Sequence, residues 1–408
     1  MSKGISCLKS KLSSKQVRIR LRYNWYDMKA SAMDLGISTP PNLVALNTVV
    51  GWNKKAVDSL AERLQFREFA NDIYEMNGIF QFNNPDIFFD SAIQGALISS
   101  CSFVSITRDN EGYPRLQVID GYNATGVLDP FTNMMSEGYA VLSRDDYGNP
   151  VREAYYTEDE TIYYLNGKEE LVVPNPAPFC LLVPVIFQPD AIRPFGHSRI
   201  SRACMAITES AIRTIKRSEI SAEFYSFPQK YIVGLSQDAE PMEKWKATMA
   251  SMLQFTKDDE GDSPSIGQFQ QQSMGPHLEQ LKMFASLFAG ETGLTLDDLG
   301  FTTDNPSSVE AIKASHESLR LVARKAQHQF GTAFLNVGYL AACVRDDNPY
   351  RRELLHDVRP KWEPVFEPDI NALSMLGDSA IKMNQALPGY FDEEVLRDLT
   401  GIAKDGGN

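Results

Sequence analysis

The stretch that decides the fold opens with GHSRISRACMAITESAIRTIKRSEISAEF at Gly196–Phe224 and continues to about Asp346. Apolar residues recur in it at steps of three and four, which predicts an amphipathic helix of about 30 residues with Ser198 as its N-cap. Its apolar face is formed by Ile200, Cys204, Ile207, Ala211 and Ile215. Because no intrachain partner is evident along a length of about 45 Å, we expect this face to pack against other copies of the chain.

A second long helix is predicted after Pro306. Ser307 and Glu310 form a capping box, in which the serine hydroxyl and the glutamate carboxylate each accept from the other residue's backbone amide. Gly331 and Gly338 interrupt the pattern, which favours a bend. The apolar face consists of Ile312, Leu319, Val322, Ala326, Phe330, Val337 and Ala341.

Between these helices lies a small insert with its own apolar residues. Residues 229–235 and 265–269 are typical of strands, and residues 241–255 of a helix, so a β-α-β unit is predicted. A shorter helix is expected at 276–289. The loop at 291–305 that follows carries acidic side chains and no basic one.

The first 38 residues are basic in a chain that is acidic overall. They are interpreted either as a partly ordered arm that contacts another protein or DNA, or as a frayed terminus. Helices are expected at residues 42–64, 66–76 and 84–99.

From Cys101 the apolar period changes to two, which predicts an antiparallel β meander. Strands are expected at 101–108, 115–120, 138–144, 152–157, 161–165 and 179–187. The Asn166-Gly167 pair is the strongest hairpin signal, and Pro174–Pro178 is a stiff connector. Beyond Asp346, a strand anchored by Trp362 is expected at 358–366. Helices are expected at 369–386 and 392–399.

The composition limits the function. With 53 acidic and 40 basic residues the net charge is −13, which argues against a subunit that binds nucleic acid tightly. The five scattered cysteines suit reduced thiols in a cytoplasm. Neither a signal peptide nor a membrane span is expected.

No catalytic, cofactor or metal site is expected. The chain has no P-loop. Gly196–Arg199 resembles a nucleophile elbow, but Ile200 stands where that motif needs glycine. The loop with Asp258, Asp259, Glu260 and Asp262 is interpreted as solvated rather than as a cation site. An alternative remains: a nucleic-acid-processing enzyme with a divergent carboxylate metal site. Its candidate residues are Asp297, Asp298 and Asp304, with no histidine or lysine near them in the sequence.

Five strings of residues share one order with a known family. They are Val57–Leu64, Gly196–Ile200, Phe227–Leu235, Glu291–Leu294 and Asn305–Ala311. In this order the chain resembles the portal proteins of tailed bacteriophages, of the siphophage head-to-tail connector type. The order supports the resemblance more than any single string does.

This resemblance implies an α+β portal fold with a β-rich wing, a helical stem, a small β-α-β clip, a long kinked wing helix and a helical crown. The implied segments are a basic N-terminal arm (1–38), the wing (39–190), the stem helix (191–227), the clip (228–275), the second stem helix (276–290), the tunnel loop (291–306), the long kinked helix with a returning wing strand (307–366), and the crown helices with the tail (367–408).

The implied function is a homo-oligomeric ring of about twelve copies at one capsid vertex. It conducts double-stranded DNA during packaging and ejection and has no enzymatic activity. The implied partners are the large terminase, the head–tail adaptor, the major capsid protein and the scaffolding protein, with no membrane. The location is the virion, and the host bacterial cytoplasm during assembly. A further alternative is another oligomeric structural protein of the virion.

Three groups of site residues follow from the resemblance together with the charge pattern. The DNA-facing tunnel loop comprises Glu291, Asp297, Asp298, Thr302, Thr303 and Asp304. The clip surface for partner docking comprises Trp245, Asp258, Asp259, Glu260 and Asp262, whose acidic rim is expected to attract basic partners. The stem subunit interface comprises Ile200, Ile207, Arg213, Ile215, Lys216 and Arg217; its basic residues either pair with acids of the next subunit, which is favoured, or touch a phosphate backbone.

Overall fold

The computed structural model describes residues 4–33, 47–226, 230–233, 265–268, 273–301, 314–366 and 370–400. The chain divides into two compact units. The larger unit comprises residues 1–30, 51–205 and 290–408, and the smaller unit comprises residues 31–50 and 206–289. Helices and antiparallel sheets occur together, which confirms the predicted α+β class.

The helices follow one another along the described chain. They are α1 (Gly4–Tyr26), α2 (Trp52–Ala61), α3 (Met76–Phe82), α4 (Pro85–Ser99), α5 (Arg202–Ser226), α6 (Gly275–Thr292), α7 (Glu317–Asp346), α8 (Ile370–Ala386) and α9 (Glu393–Thr400). Short 3₁₀ helices occur at Asp297–Leu299 and Arg352–Asp357. The predicted helices at 84–99, 369–386 and 392–399 are confirmed by α4, α8 and α9.

The strands are β1 (Phe66–Ala70), β2 (Cys101–Arg108), β3 (Pro114–Asp120), β4 (Ala124–Leu128), β5 (Met135–Arg144), β6 (Pro150–Tyr156), β7 (Glu160–Leu165), β8 (Lys168–Pro174), β9 (Leu182–Ile186), β10 (Lys230–Val233), β11 (Ser265–Gln268) and β12 (Arg359–Trp362). In the larger unit they form a five-stranded sheet in the order β4-β5-β6-β7-β8, a three-stranded sheet β3-β2-β9 and the pair β1-β12. The predicted meander is divided between two sheets: the strands expected at 138–144, 152–157 and 161–165 are β5, β6 and β7 of the five-stranded sheet, whereas those expected at 101–108 and 115–120 are β2 and β3 of the three-stranded sheet. Asn166 and Gly167 both have positive φ in the β7–β8 hairpin, as a tight turn of this type requires.

The region at 66–76 corrects the sequence interpretation. A helix is expected there, but the structure has strand β1, which pairs antiparallel with β12 so that Phe66 lies opposite Trp362. The Phe66 ring contacts the rings of Phe89 and Trp362, with centroids 4.5 and 5.2 Å apart. Burying these aromatic rings against a distant part of the chain outweighs a weak local helical pattern.

The basic N-terminus is also different from the expectation of a frayed or partly ordered arm. Helix α1 packs on the five-stranded sheet, where Leu8 and Leu12 are buried in one cluster with Tyr139. Its basic side chains bind the same sheet: Lys9 lies 2.8 Å from the Glu153 carboxylate, and Lys11 donates to the Gly126 carbonyl at 2.6 Å. Part of the positive charge of this segment is therefore bound by the five-stranded sheet.

Helix α7 runs through the core of the larger unit, where Phe330, Phe334 and Val337 are buried. It continues unbroken through Gly331 and Gly338. A Cβ at Gly331 would lie 2.7 Å from Pro360 Cγ, and one at Gly338 would lie 2.9 Å from Met76 Sδ. These glycines permit close packing by neighbouring elements; the bend expected at them stays a prediction.

The smaller unit contains the later part of α5, most of α6 and the β10–β11 pair. The helix residues Ile212, Ile220 and Phe288 are buried, and Thr214 donates a hydrogen bond to the Gln280 side chain at 3.1 Å. The two strands predicted for the insert pair antiparallel, with Tyr231 opposite Gly267. The helix predicted at 241–255 lies outside the described residues.

Candidate functional site

The junction that precedes α5 brings together two of the strings that carry the family resemblance and the residue just before a third. Arg199 is buried, and its Nε donates to the Ala56 carbonyl at 3.3 Å. Its Nη2 donates to the Thr292 carbonyl at the end of α6. A guanidinium can hold several acceptors at once because its five N–H donors have a fixed geometry. One side chain therefore ties together α2, the approach to α5 and the end of α6.

The electrostatics of Arg199 follow from its burial. Removal from water lowers its pKa to about 10 from the ordinary 12.5, an effect that the nearby Cys204 and Glu291 oppose. The group is still cationic at neutral pH. The acceptors of its two hydrogen bonds, at Ala56 and Thr292, are neutral carbonyl oxygens, which points to a structural clamp rather than to a reactive group.

The start of α5 corrects the predicted N-cap. The Ser198 hydroxyl is buried, donates to the Ile98 carbonyl at 2.6 Å and accepts from the Ile200 amide. Ser201 caps the helix instead, since its Oγ accepts from the Cys204 amide at 3.1 Å. The helix accordingly begins at Arg202, several residues later than expected. The Ser-x-x-Cys spacing could have identified this cap from the sequence, because an N-cap hydroxyl accepts from the amide three residues later.

Two of the predicted tunnel-loop carboxylates are engaged within the chain. Glu291 belongs to the last turn of α6 and accepts from Ser201 Oγ at 2.7 Å. Asp298 accepts from the Thr295 amide and hydroxyl, both at 2.9 Å, and lies 3.3 Å from His316 Nε2. Burial raises the pKa of Asp298, but these hydrogen bonds and the charge of His316 outweigh it, so the net pKa is lowered. Asp297 is exposed.

The contact with His316 corrects the expectation that no histidine lies near the acidic loop. His316 immediately precedes α7, so its approach to Asp298 depends on the fold and not on sequence spacing. The described residues contain no group of three or more His, Cys, Asp or Glu side chains that could hold a metal ion. Thr302, Thr303 and Asp304 lie outside the described residues, as does the capping box at Ser307.

The predicted stem interface residues are not all at the surface. Ile200 precedes α5 and is 1% exposed, so it has no surface to offer another copy. Ile207 and Ile215 are half-buried. Arg213 is held within its own helix by Glu209 at 2.8 Å. Lys216 and Arg217 are half-buried as well.

Several exposed apolar residues on α6 were not expected from the sequence. Leu278, Met283 and Leu287 are 61, 50 and 54% exposed, although α6 also buries Ala285 and Phe288. Apolar residues recur on all sides of this helix in the sequence, a pattern that could have indicated their exposure. The predicted clip residues Trp245, Asp258, Asp259, Glu260 and Asp262 lie outside the described part of the chain.

No described helix is both long enough and apolar enough to cross a membrane. All five cysteines are free, and only Cys7 is exposed. Burial raises the pKa of the Cys101 thiol to about 11 and that of Cys180 to about 12, so both stay protonated at neutral pH.

Comparison with known proteins identifies relatives along nearly the whole chain. The portal protein of Mycobacterium phage L5 is 27% identical over 399 residues, which cover 92% of this chain and 80% of the relative. The portal protein of Mycobacterium phage D29 is 26% identical over 417 aligned positions, which cover 94% and 82%. No family model matches the chain.

Two solved structures are similar at lower identity. The neck of an empty gene transfer agent particle, computed with C6 symmetry, has a TM-score of 0.48 at 15% identity and covers 90% of this chain and 95% of its own. The neck of a native particle, computed with C12 symmetry, has a TM-score of 0.47 at 13% identity and covers 96% and 99%. Both TM-scores are below 0.5, a level that does not by itself establish a common fold. The two phage relatives confirm the resemblance on which the sequence interpretation rests: the chain is related to the portal proteins of tailed bacteriophages.

Proposed function

We propose that this chain is the portal subunit of a tailed bacteriophage, a structural protein that assembles into a ring at one vertex of the capsid. The observation that carries the proposal is the similarity to two phage portal proteins across more than nine-tenths of the chain. The ring conducts double-stranded DNA into the head and out of it. A phage that lacks this chain is expected to make heads without packaged DNA, and heads that fill normally contradict the proposal.

Ring assembly is supported by the exposed apolar residues of α6. In the single chain, water contacts the apolar side chains of Leu278, Met283 and Leu287. Exposed apolar residues often mark contacts between proteins. A head-to-tail contact of one kind closes into a ring when the rotation per copy divides a full turn. We therefore assign Met283 and Leu287, which share one face of α6, together with Ile207 and Ile215 of α5, to the contact between neighbouring copies.

A pair of matched variants tests that assignment. Leu287→Glu places a charge in the proposed contact, whereas Leu354→Glu changes a residue of the larger unit that is equally exposed, at 54%. Electron micrographs of Leu287→Glu are expected to show mainly dissociated subunits, while Leu354→Glu still forms rings. Intact rings in both variants would show that α6 is not part of the contact between copies.

The acidic loop is proposed to face the DNA. In the described part of this loop Glu291 and Asp297 are both exposed, but Glu291 accepts a hydrogen bond from Ser201, and the half-buried Asp298 lies against His316. Repeated around a ring, Asp297 repels phosphate over about one Debye length, roughly 8 Å in physiological salt, and so keeps DNA from adhering. Asp297→Lys should slow packaging without loss of the ring, whereas Asp378→Lys on α8 should leave the packaging rate unchanged.

The partners of the proposed ring are the large terminase, the head–tail adaptor, the major capsid protein and the scaffolding protein. The clip at 228–275 is proposed as the docking surface for terminase and adaptor, on the basis of family resemblance and its acidic composition. Neutralising Asp258, Asp259 and Glu260 should weaken their binding most at low salt. Unchanged affinity at low and high salt alike would refute the role of this charge.

A further inference from the structure

A cavity of about 950 Å³ opens in the larger unit beside the start of α5. It is bounded by α1, by the segment before α5, by the end of α6 and by the first part of α7. Its cationic lining residues are Arg18, Arg22, Arg193, Arg199, Arg202 and Lys325. This concentration of positive charge is unusual in a chain whose net charge is −13.

These cations lack ion-pair partners in the described chain, although the charge of Glu291 favours the cationic form of Arg199. In the ranges that the structure describes, none of the six forms an ion pair with a carboxylate. The two carboxylates that line the cavity, Asp190 and Glu291, accept hydrogen bonds from His197 and Ser201, each at 2.7 Å. Elsewhere in the larger unit cations are commonly paired, as Lys54 is with Asp58 at 2.6 Å.

The cations also repel one another. Burial is the main cause of the lowered pKa of Arg22, and the charges of Arg18 and Arg193 lower it further. The Arg22 guanidinium donates to a neutral acceptor, the Ser99 carbonyl at 3.3 Å. Like charges held in one cavity destabilise the protein unless an anion shares the space.

We propose that this cavity binds a phosphate-type oxyanion. Guanidinium groups bind phosphate oxygens with two parallel hydrogen bonds, and five of the six cations are arginines. The cavity also reaches Ser201 and Arg202 at the N-terminus of α5, whose helix dipole favours negative charge. A bound metal cation is disfavoured by the same field. The inference depends on the cavity alone and is independent of the portal role.

The phosphate can come from two sources, a small phosphate in solution or the phosphodiester backbone of DNA. Binding of sodium pyrophosphate to the purified full-length protein is measured by calorimetry, with sodium chloride at equal ionic strength as the reference. A short DNA duplex is then added as a competitor. If the duplex displaces pyrophosphate, the site binds the DNA backbone. If the duplex does not displace pyrophosphate, the site binds small phosphates. Either result supports the oxyanion site.

The variant Arg193→Gln/Lys325→Gln removes two exposed cations of the cavity. Its matched control, Arg324→Gln/Lys168→Gln, removes the same charge from exposed positions outside the cavity. The cavity variant is expected to bind pyrophosphate at least about tenfold more weakly, since each lost bond is charge-assisted. The control variant is expected to retain the parent affinity.

Two results would overturn the proposal. One is binding of pyrophosphate by the parent protein that is no stronger than the effect of chloride. The other is an equal loss of affinity in the cavity variant and the control, which would indicate only a long-range effect of net charge. If circular dichroism shows that the cavity variant is misfolded, Arg18→Gln on the exposed face of α1 replaces it and is judged by the same criteria.

Discussion

Replacing Arg199 by methionine should loosen the junction that precedes α5. The guanidinium donates to the carbonyls of Ala56 and Thr292, and such charge-assisted bonds contribute about 1.5–3 kcal/mol each. Methionine has a comparable length but no donor, so both carbonyls lose this partner. Each buried carbonyl without a donor costs about 1–3 kcal/mol.

The cost of burying the Arg199 charge partly offsets this loss of stability. Burial lowers the pKa of Arg199 from 12.5 to about 10, and at about 1.4 kcal/mol per pKa unit the buried charge costs roughly 3 kcal/mol. Methionine removes that cost. We expect a net destabilisation of about 2–5 kcal/mol, which corresponds to a fall in Tm of about 2–6 °C for a chain of 408 residues.

The measurement is thermal unfolding followed by far-ultraviolet circular dichroism at one fixed protein concentration. Arg324→Met serves as the control, because Arg324 is exposed on α7 and does not line the junction. Its Tm should stay within about 1 °C of the parent, as surface substitutions usually do. Equal Tm values for Arg199→Met and Arg324→Met would refute the idea that Arg199 clamps the junction.

Further expected outcomes concern the acidic loop and the core. Asp298→Asn should lower stability at pH 7 by about 1 kcal/mol. Because the pKa of Asp298 is lowered in the folded state, its contribution to the free energy of unfolding is present above the ordinary pKa of 3.8 and is lost as the pH falls through the lowered value. Denaturation measured from pH 7 to 2 should therefore show the stabilities of the parent and the variant becoming equal at low pH. A difference in stability that stays constant with pH would contradict the pairing with His316. Gly331→Ala should destabilise by about 1–3 kcal/mol, because its Cβ would meet Pro360 at 2.7 Å; an unchanged urea midpoint would refute the close packing.

Strong local patterns predicted much of the fold. The alternation of apolar and polar residues, together with the Asn-Gly turn, predicted antiparallel strands after Cys101. The strand expected at 101–108 has the bounds of β2. Strand β4 was missed because its five residues include Gly126, and β8 because it is a fully exposed edge strand without a buried face. A pattern of apolar residues carries little information about such strands.

The junction was only partly predictable for a different reason. The strings containing Arg199 and Thr292 could be recognised as family features. The sequence did not reveal that the charged side chain of Arg199 is buried against the string that contains Thr292. Likewise, the approach of His316 to Asp298 joins two segments across a stretch of chain outside the described residues. Contacts between segments far apart in the sequence are set by tertiary packing, which local propensity does not encode.

Assembly of a portal ring by this chain can be measured by native mass spectrometry of the purified protein at micromolar concentration. We expect one dominant closed species of about twelve copies, which Leu287→Glu dissociates and Leu354→Glu leaves intact. A monomer as the only species, at low and high salt alike, would contradict ring assembly.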